Sequence, residues 1–83
     1  MKPSKLYTNL HDNPRAVVSF RDFNALLEVF GFRLDRIRDS HPHYVHPAIH
    51  EVLTINPDGK DAHRYQVRTL LALIEEHSLT LSE

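Results

Sequence analysis

Apolar positions along this chain change their period twice, and each change marks a new element. Phe20, Phe23, Leu26, Leu27 and Phe30 recur at three- and four-residue spacing, the interval that lines one face of an α-helix. Ser19 precedes the run and Asp22 follows it by three residues, an N-cap with an acidic residue in the capping-box position. Gly31 supplies the stop, because glycine accepts the positive φ of a helix C-cap. From Phe32 the period drops to two: Phe32 and Leu34 face one way, Arg33 and Asp35 the other. Arg36 interrupts this alternation, so Ile37 marks a bulge or the end of the strand. His43 to His46 and Glu51 to Asn56 read as two further strands, joined by short links that favour antiparallel neighbours. Asn56-Pro57-Asp58-Gly59 is a strong turn signal. Helical spacing returns with Val67, Leu70, Leu71 and Ile74, in a helix that begins near Arg64. Leu79 and Leu81 follow it, placed to close the end of the core.

In front of this pattern, residues 3–11 form at most a short, weakly specified helix, ended by Asn13-Pro14. The expected architecture is α+β: helix, three antiparallel strands, helix, with an optional extra helix at the N-terminus. A three-stranded sheet this small must cover one apolar face with helices, which leaves its other face to solvent or a partner. A chain of 83 residues is one domain with a modest core, burying about 60–65% of its unfolded surface. The role of residues 1–18 stays open between extending the core and binding a partner.

Composition narrows the class. The chain is 41% hydrophobic and 25% charged, which is ordinary for a globular protein. It has no cysteine, so neither disulfides nor thiolate chemistry enter, as suits a reducing cytoplasm. The start, MKPSKLYTNLHDNPR, lacks the apolar region of a secretory signal. No run approaches the ~18 apolar residues of a membrane span. A net charge of −1 gives no bulk support for nucleic-acid binding. Its distribution is more informative: Arg33, Arg36 and Arg38 precede a histidine-rich run, Lys60, Arg64 and Arg68 lie further on, and Glu75, Glu76 and Glu83 gather at the end. Arginines at the start of the last helix oppose the helix dipole. Either they form a phosphate-binding helix start, or they are surface charges costing a few tenths of a kcal/mol each.

The run RDSHPHYVHPAIH holds four of the seven histidines: His41, His43, His46 and His50. His41 and His43 are two apart, a spacing that can serve a metal, with Glu51 or His63 as a third ligand. Against this, Pro42 between them disfavours a regular central strand, and zinc sites need convergent ligands with secured neighbours. Acid/base chemistry needs less. RNA carries its own nucleophile, the 2′-OH, so an enzyme has only to take its proton, align it with the phosphate and stabilise the phosphate oxygens. One imidazole beside arginines can do much of that, and Arg36, Arg38 and His41 are close in sequence. The plainer alternative is that all of these are polar residues of an exposed hairpin.

The segments VSFRDFNALLEVFGF (18–32), RIRDSHPHYVHP (36–47), LTINPDGKDAHRYQV (53–67) and RTLLALIEE (68–76) stand in a recognisable order. Together they resemble the HicA family of toxins from toxin–antitoxin systems, whose members carry Gly-Ser-His-His after the first helix and open the last helix with Tyr-Gln-Val-Arg. The resemblance covers about three quarters of the chain and divides it into an N-terminal extension (1–18) and a HicA-like domain (19–83). It implies a double-stranded-RNA-binding-domain-like α-β-β-β-α fold. It also implies an mRNA-cleaving endoribonuclease with no obligatory metal or other cofactor, and a HicB-type antitoxin partner that covers the active face. The family's catalytic histidine falls on His41 and its serine on Ser40; the second histidine falls on Pro42, and His43 lies one place beyond. Asp39 replaces the family's glycine, and Arg64 a common proline. Asp39 could repel a phosphate, or orient His41 through a hydrogen bond. On this reading Arg36 and Arg38 meet phosphate from the sheet, and Lys60, Arg64 and Arg68 from the last helix. Tyr65 either stacks on a base or packs in the core. A catalytically weakened RNA- or antitoxin-binding module and a metal-dependent hydrolase stand as alternatives.

Overall fold

In the computed structural model, which describes residues 2–82, the chain runs α1 (Pro3–Asp12), α2 (Phe20–Val29), β1 (Arg33–Arg38), β2 (His41–His46), β3 (Ile49–Thr54), β4 (Pro57–Asp58), β5 (Asp61–Ala62) and α3 (Arg64–Glu76). Strands β1, β2 and β3 form an antiparallel sheet in that order, and β4 and β5 pair as a two-stranded ribbon that turns at Gly59-Lys60, so Pro57 and Asp58 of the expected Asn56–Gly59 turn are strand residues instead. This is the α+β order expected, with the extra N-terminal helix present.

Local chemistry explains the boundaries. Ser19 Oγ accepts the Asp22 backbone N–H at 3.1 Å, the predicted cap of α2, worth about 1 kcal/mol. At the other end Gly31 adopts φ 96°, and Phe32 N–H and Gly31 N–H return to the carbonyls of Leu27 and Glu28. These two bonds are the Schellman pattern. Helix α3 ends the same way with a residue less suited to it: Ser78 has φ 52°, and Leu79 N–H reaches the Ile74 carbonyl.

One core joins the three helices to β2 and β3. Phe23, Leu26 and Leu27 of α2 and Val67, Leu70 and Ile74 of α3 cluster with Tyr44, Ile49 and Ile55 from the sheet and its exit. Leu6 and Leu10 of α1 are buried in the same cluster, and each contributes about 1.5–3 kcal/mol by leaving water. The first helix therefore extends the core.

Besides the ribbon's turn, three details differ from the sequence reading. Strand β2 starts two residues earlier, at His41, and includes Pro42 although β2 is the central strand. Pro42 is tolerated because its carbonyl, which accepts Ile55 N–H, points toward β3 just beyond that strand's last residue, Thr54. Its nitrogen points the same way, so no bond to β1 is lost. Strand β3 also runs two residues earlier than Glu51–Asn56. Finally, the irregularity in β1 lies at Asp35, not Ile37: Leu34 pairs with Tyr44 and Arg36 with His43, leaving Asp35 unmatched.

Tyr44 carries a testable electrostatic consequence. Burial, and then the negative charge of Glu28, raise its phenol above the ordinary value of 10.0. The unfolded chain thus loses this proton first as pH climbs, so the contribution is intact below about pH 10 and declines above it. Titration followed by tyrosinate absorbance is expected to show a late-ionising phenol that is missing in Tyr44→Phe, with chemical stability falling less steeply above pH 10 in that variant.

Candidate active site

The turn between β1 and β2 consists of two residues, Asp39 and Ser40, with φ 53° and 65°. Positive φ at both positions is the signature of a type I′ turn, whose twist matches that of the flanking strands. This gives Asp39 a conformational role: where the family pattern has glycine, it is a residue whose short polar side chain tolerates the left-handed region. Ser40 is worse suited, since glycine is the favoured second residue. Ser40→Gly is expected to raise stability by about 0.5–1 kcal/mol in denaturant unfolding.

The bulge at Asp35 determines which side chains share the open face. Residues paired across an antiparallel ladder lie on one face, and the face alternates along the strand. Tyr44 is buried, so its partner Leu34 and, two places along, Pro42 and Ile37 are on the core side. Arg36 opposite His43 and Arg38 opposite His41 then lie on the other side, as does Arg33 opposite Val45. Without the extra residue, Arg33 could not share a face with Arg36 and Arg38. The bulge brings three arginines and two histidines onto the surface that the helices do not cover. Leu34 and Ile37, on the core side of the edge strand, stay 51% and 66% exposed.

A groove of about 310 Å³ on this face is lined by Asp35, Arg36, Arg38, His43, Val52 and Thr54. His43 is half-buried, and its Nδ1 is 3.0 Å from Thr54 Oγ1. Arg36 Nε donates to Asp35 Oδ2 at 2.9 Å, an exposed contact of small energetic weight. Arg33 and Arg38 have no acidic partner among the described residues. His41 is exposed at the start of β2, across the ladder from Arg38, and its ring has no hydrogen-bond partner among the described residues.

The other histidines have different surroundings. His46 Nε2 donates to the Phe30 carbonyl at 2.9 Å, and its Nδ1 accepts Ala48 N–H at 3.0 Å. Both ring nitrogens are therefore committed to the backbone, in the neutral form protonated at Nε2. The ring also packs edge-on against Phe32, with centroids 5.0 Å apart. His46 is a structural pin, whereas His50 is exposed on β3. His63 stands at the N-cap position of α3 without a side-chain capping bond, and its ring lies at a tilt to Tyr65. Among the described residues no three histidine, aspartate or glutamate side chains converge on a point that could hold a metal ion. The triad of His41, His43 and either Glu51 or His63 is thus not assembled.

The basic residues at the start of α3 lie elsewhere. Arg64, Tyr65 and Arg68 line a separate depression with Ala16, Val17 and Val18, and Lys60 is exposed in the loop of the β4–β5 ribbon. None of the four lines the sheet groove. Tyr65 is 51% exposed, so it does not pack in the core.

Two residues escaped the sequence reading. Thr54 contacts His43 only because of the β2–β3 register. Gln66 is buried; its Nε2 donates to the Thr54 carbonyl at 2.7 Å and its Oε1 accepts Asn56 N–H. It ties α3 to the end of β3. A signal for it did exist: Gln66 occupies a place on the apolar stripe four residues before Leu70, where a polar side chain needs buried partners.

Neither curated proteins nor solved structures yield a match to this chain. The family model described as HicA toxin of bacterial toxin–antitoxin matches residues 20–75, from the first residue of α2 to the last turn of α3. That span is well over half of the 83 residues and leaves out α1. Toxins of this family are generally ribonucleases and are paired with an antitoxin. No helix among the described residues is long and apolar enough to cross a membrane. A matched segment that holds α2, the whole sheet and α3 settles the classification: the chain belongs to the HicA family of bacterial toxins.

Proposed function

We propose that this HicA-family chain is a cytoplasmic endoribonuclease that cleaves mRNA by metal-independent histidine chemistry, and that a HicB-type antitoxin neutralises it by covering the open sheet face. The observation that carries this reading is the parity shift at Asp35, which groups Arg33, Arg36 and Arg38 with His41 and His43 on an uncovered surface. A ribose-phosphate linkage laid there meets cationic groups that stabilise charge on the phosphate oxygens. His41 acts as the base that takes the 2′-OH proton. Ser40 and Asp39 hold the turn that presents it, and His43 stands beside it.

Lys60, Arg64 and Arg68 supply a second cationic patch for an RNA longer than the groove, and exposed Tyr65 offers a ring for base stacking. Contacts of this kind read shape and phosphate rather than sequence. The test is cleavage of single-stranded RNA by the purified protein in the presence of chelator, together with growth arrest on expression; both are lost in His41→Ala.

A second reading is favoured by one feature. Asp39 preserves the turn but sets a carboxylate two residues before His41, where the family pattern has no charge. On this reading the chain binds RNA or its antitoxin without cutting. RNA binding without cleavage, converted to cleavage by Asp39→Gly, supports it over the first.

A further inference from the structure

We infer that His43 is a second catalytic imidazole, the acid that protonates the leaving 5′-oxygen while His41 takes the 2′-OH proton; this rests on the ribonuclease reading above. The reaction itself calls for two groups. In an in-line displacement the attacking and leaving oxygens lie on opposite sides of phosphorus, so one imidazole cannot serve both at once. His41 and His43 are alternate residues of β2 on its open face, which sets them roughly 6.5–7 Å apart along the strand. Two rings at that separation can straddle a phosphate, each within roughly 3 Å of the oxygen it serves.

Of the two, His43 is the better anchored. It lines the groove with Arg36 and Arg38. Its Nδ1 lies against Thr54 Oγ1 at 3.0 Å, and the Thr54 carbonyl is in turn held by the buried Gln66 amide. With Nδ1–H donated to Thr54, the acidic Nε2–H is left for substrate. The atoms balance. The 2′-OH proton passes to His41, the O2′–P bond forms, the P–O5′ bond breaks, and O5′ leaves with the proton of His43 Nε2. The products are a 2′,3′-cyclic phosphate and a 5′-hydroxyl.

The experiment uses an RNA oligonucleotide cleaved by the full chain and the same oligonucleotide with sulfur in place of the 5′-oxygen at the cut linkage. A thiolate leaves without a proton. His43→Asn is the chosen variant, because an asparagine amide can keep the Thr54 contact; its thermal melt is compared with wild type. Cleavage of the oxygen substrate is expected to fall about 10²–10⁴-fold and that of the sulfur substrate less than about tenfold, whereas His41→Ala lowers both. Equal losses on both substrates in His43→Asn, or no loss on either, overturn the assignment. The same holds if the products end in a 3′-phosphate that never passes through the cyclic form. A wild-type chain inert toward both oligonucleotides overturns the ribonuclease reading itself, an outcome distinct from a defect confined to the variant.

Discussion

Replacing His41 with alanine is expected to lower RNA cleavage by about 10²–10⁴-fold, the usual contribution of a positioned acid or base, and to abolish growth arrest on expression. The variant should fold as the wild type does. His41 is exposed and its ring has no hydrogen-bond partner among the described residues, and substitutions at such surface positions usually stay within about 0.5 kcal/mol. Affinity for RNA should also survive, because the arginines proposed to meet phosphate are untouched. The loss therefore falls on kcat with KM nearly constant, the mark of an interaction made in the transition state. A loss of melting temperature parallel to the loss of activity would show instead that His41 serves the fold. The comparison with His46→Ala is instructive: His46 bonds the Phe30 carbonyl and Ala48 N–H, so its removal should lower stability and disturb activity only indirectly.

The largest effect on stability is expected at Gly31. Its φ of 96° lies in the region that L-residues avoid, and a Cβ there would meet His46 Nε2 at 2.8 Å. Gly31→Ala thus adds two costs. One is backbone strain of about 1–2 kcal/mol. The other is displacement of the imidazole from the Phe30 carbonyl, about 1–2 kcal/mol for a hydrogen bond left unmade. Together they amount to roughly 2–4 kcal/mol, a large share of the marginal stability of a small domain. A melting temperature lower by roughly 10–25 °C should follow. The two costs can be separated. In a His46→Ala background the steric part disappears, so Gly31→Ala should cost less there than alone, and a double-mutant cycle measures the difference. Additive effects would show that the two residues are not in contact.

Much of this fold could be read from the chain because its signals are local. The α2 cap rests on a contact between residues three apart, and its stop on a single glycine. The stripe Val67, Leu70, Ile74 marks α3 without help from the rest of the molecule. What was not legible depends on register. Pro42 looked like an obstacle to a central strand, yet its bond-deficient side faces past the end of β3. The bulge was detectable as a broken alternation near Arg36, but its place at Asp35 follows only from the pairing with His43 and Tyr44. That one-residue difference decides which arginines accompany the histidines. The candidate site was therefore legible as residue types and not as a surface. Thr54 could not be joined to His43 before the β2–β3 ladder was known, and nothing in the sequence separates the α3 basic residues from the sheet groove.

Both turns of the three-stranded sheet contain only two residues, Asp39-Ser40 and Pro47-Ala48. The proposed RNA-facing surface is thus a single meander from Arg33 to Thr54, with none of the long closures that slow β-rich chains. Hairpins of this kind form within microseconds. Its apolar side still needs α3, whose Val67, Leu70 and Ile74 pack with Tyr44 and Ile49, so the proposed surface is complete once that helix, too, has left the ribosome. An inhibitor that works by occlusion has no slow step to exploit and must already be waiting when the toxin is made.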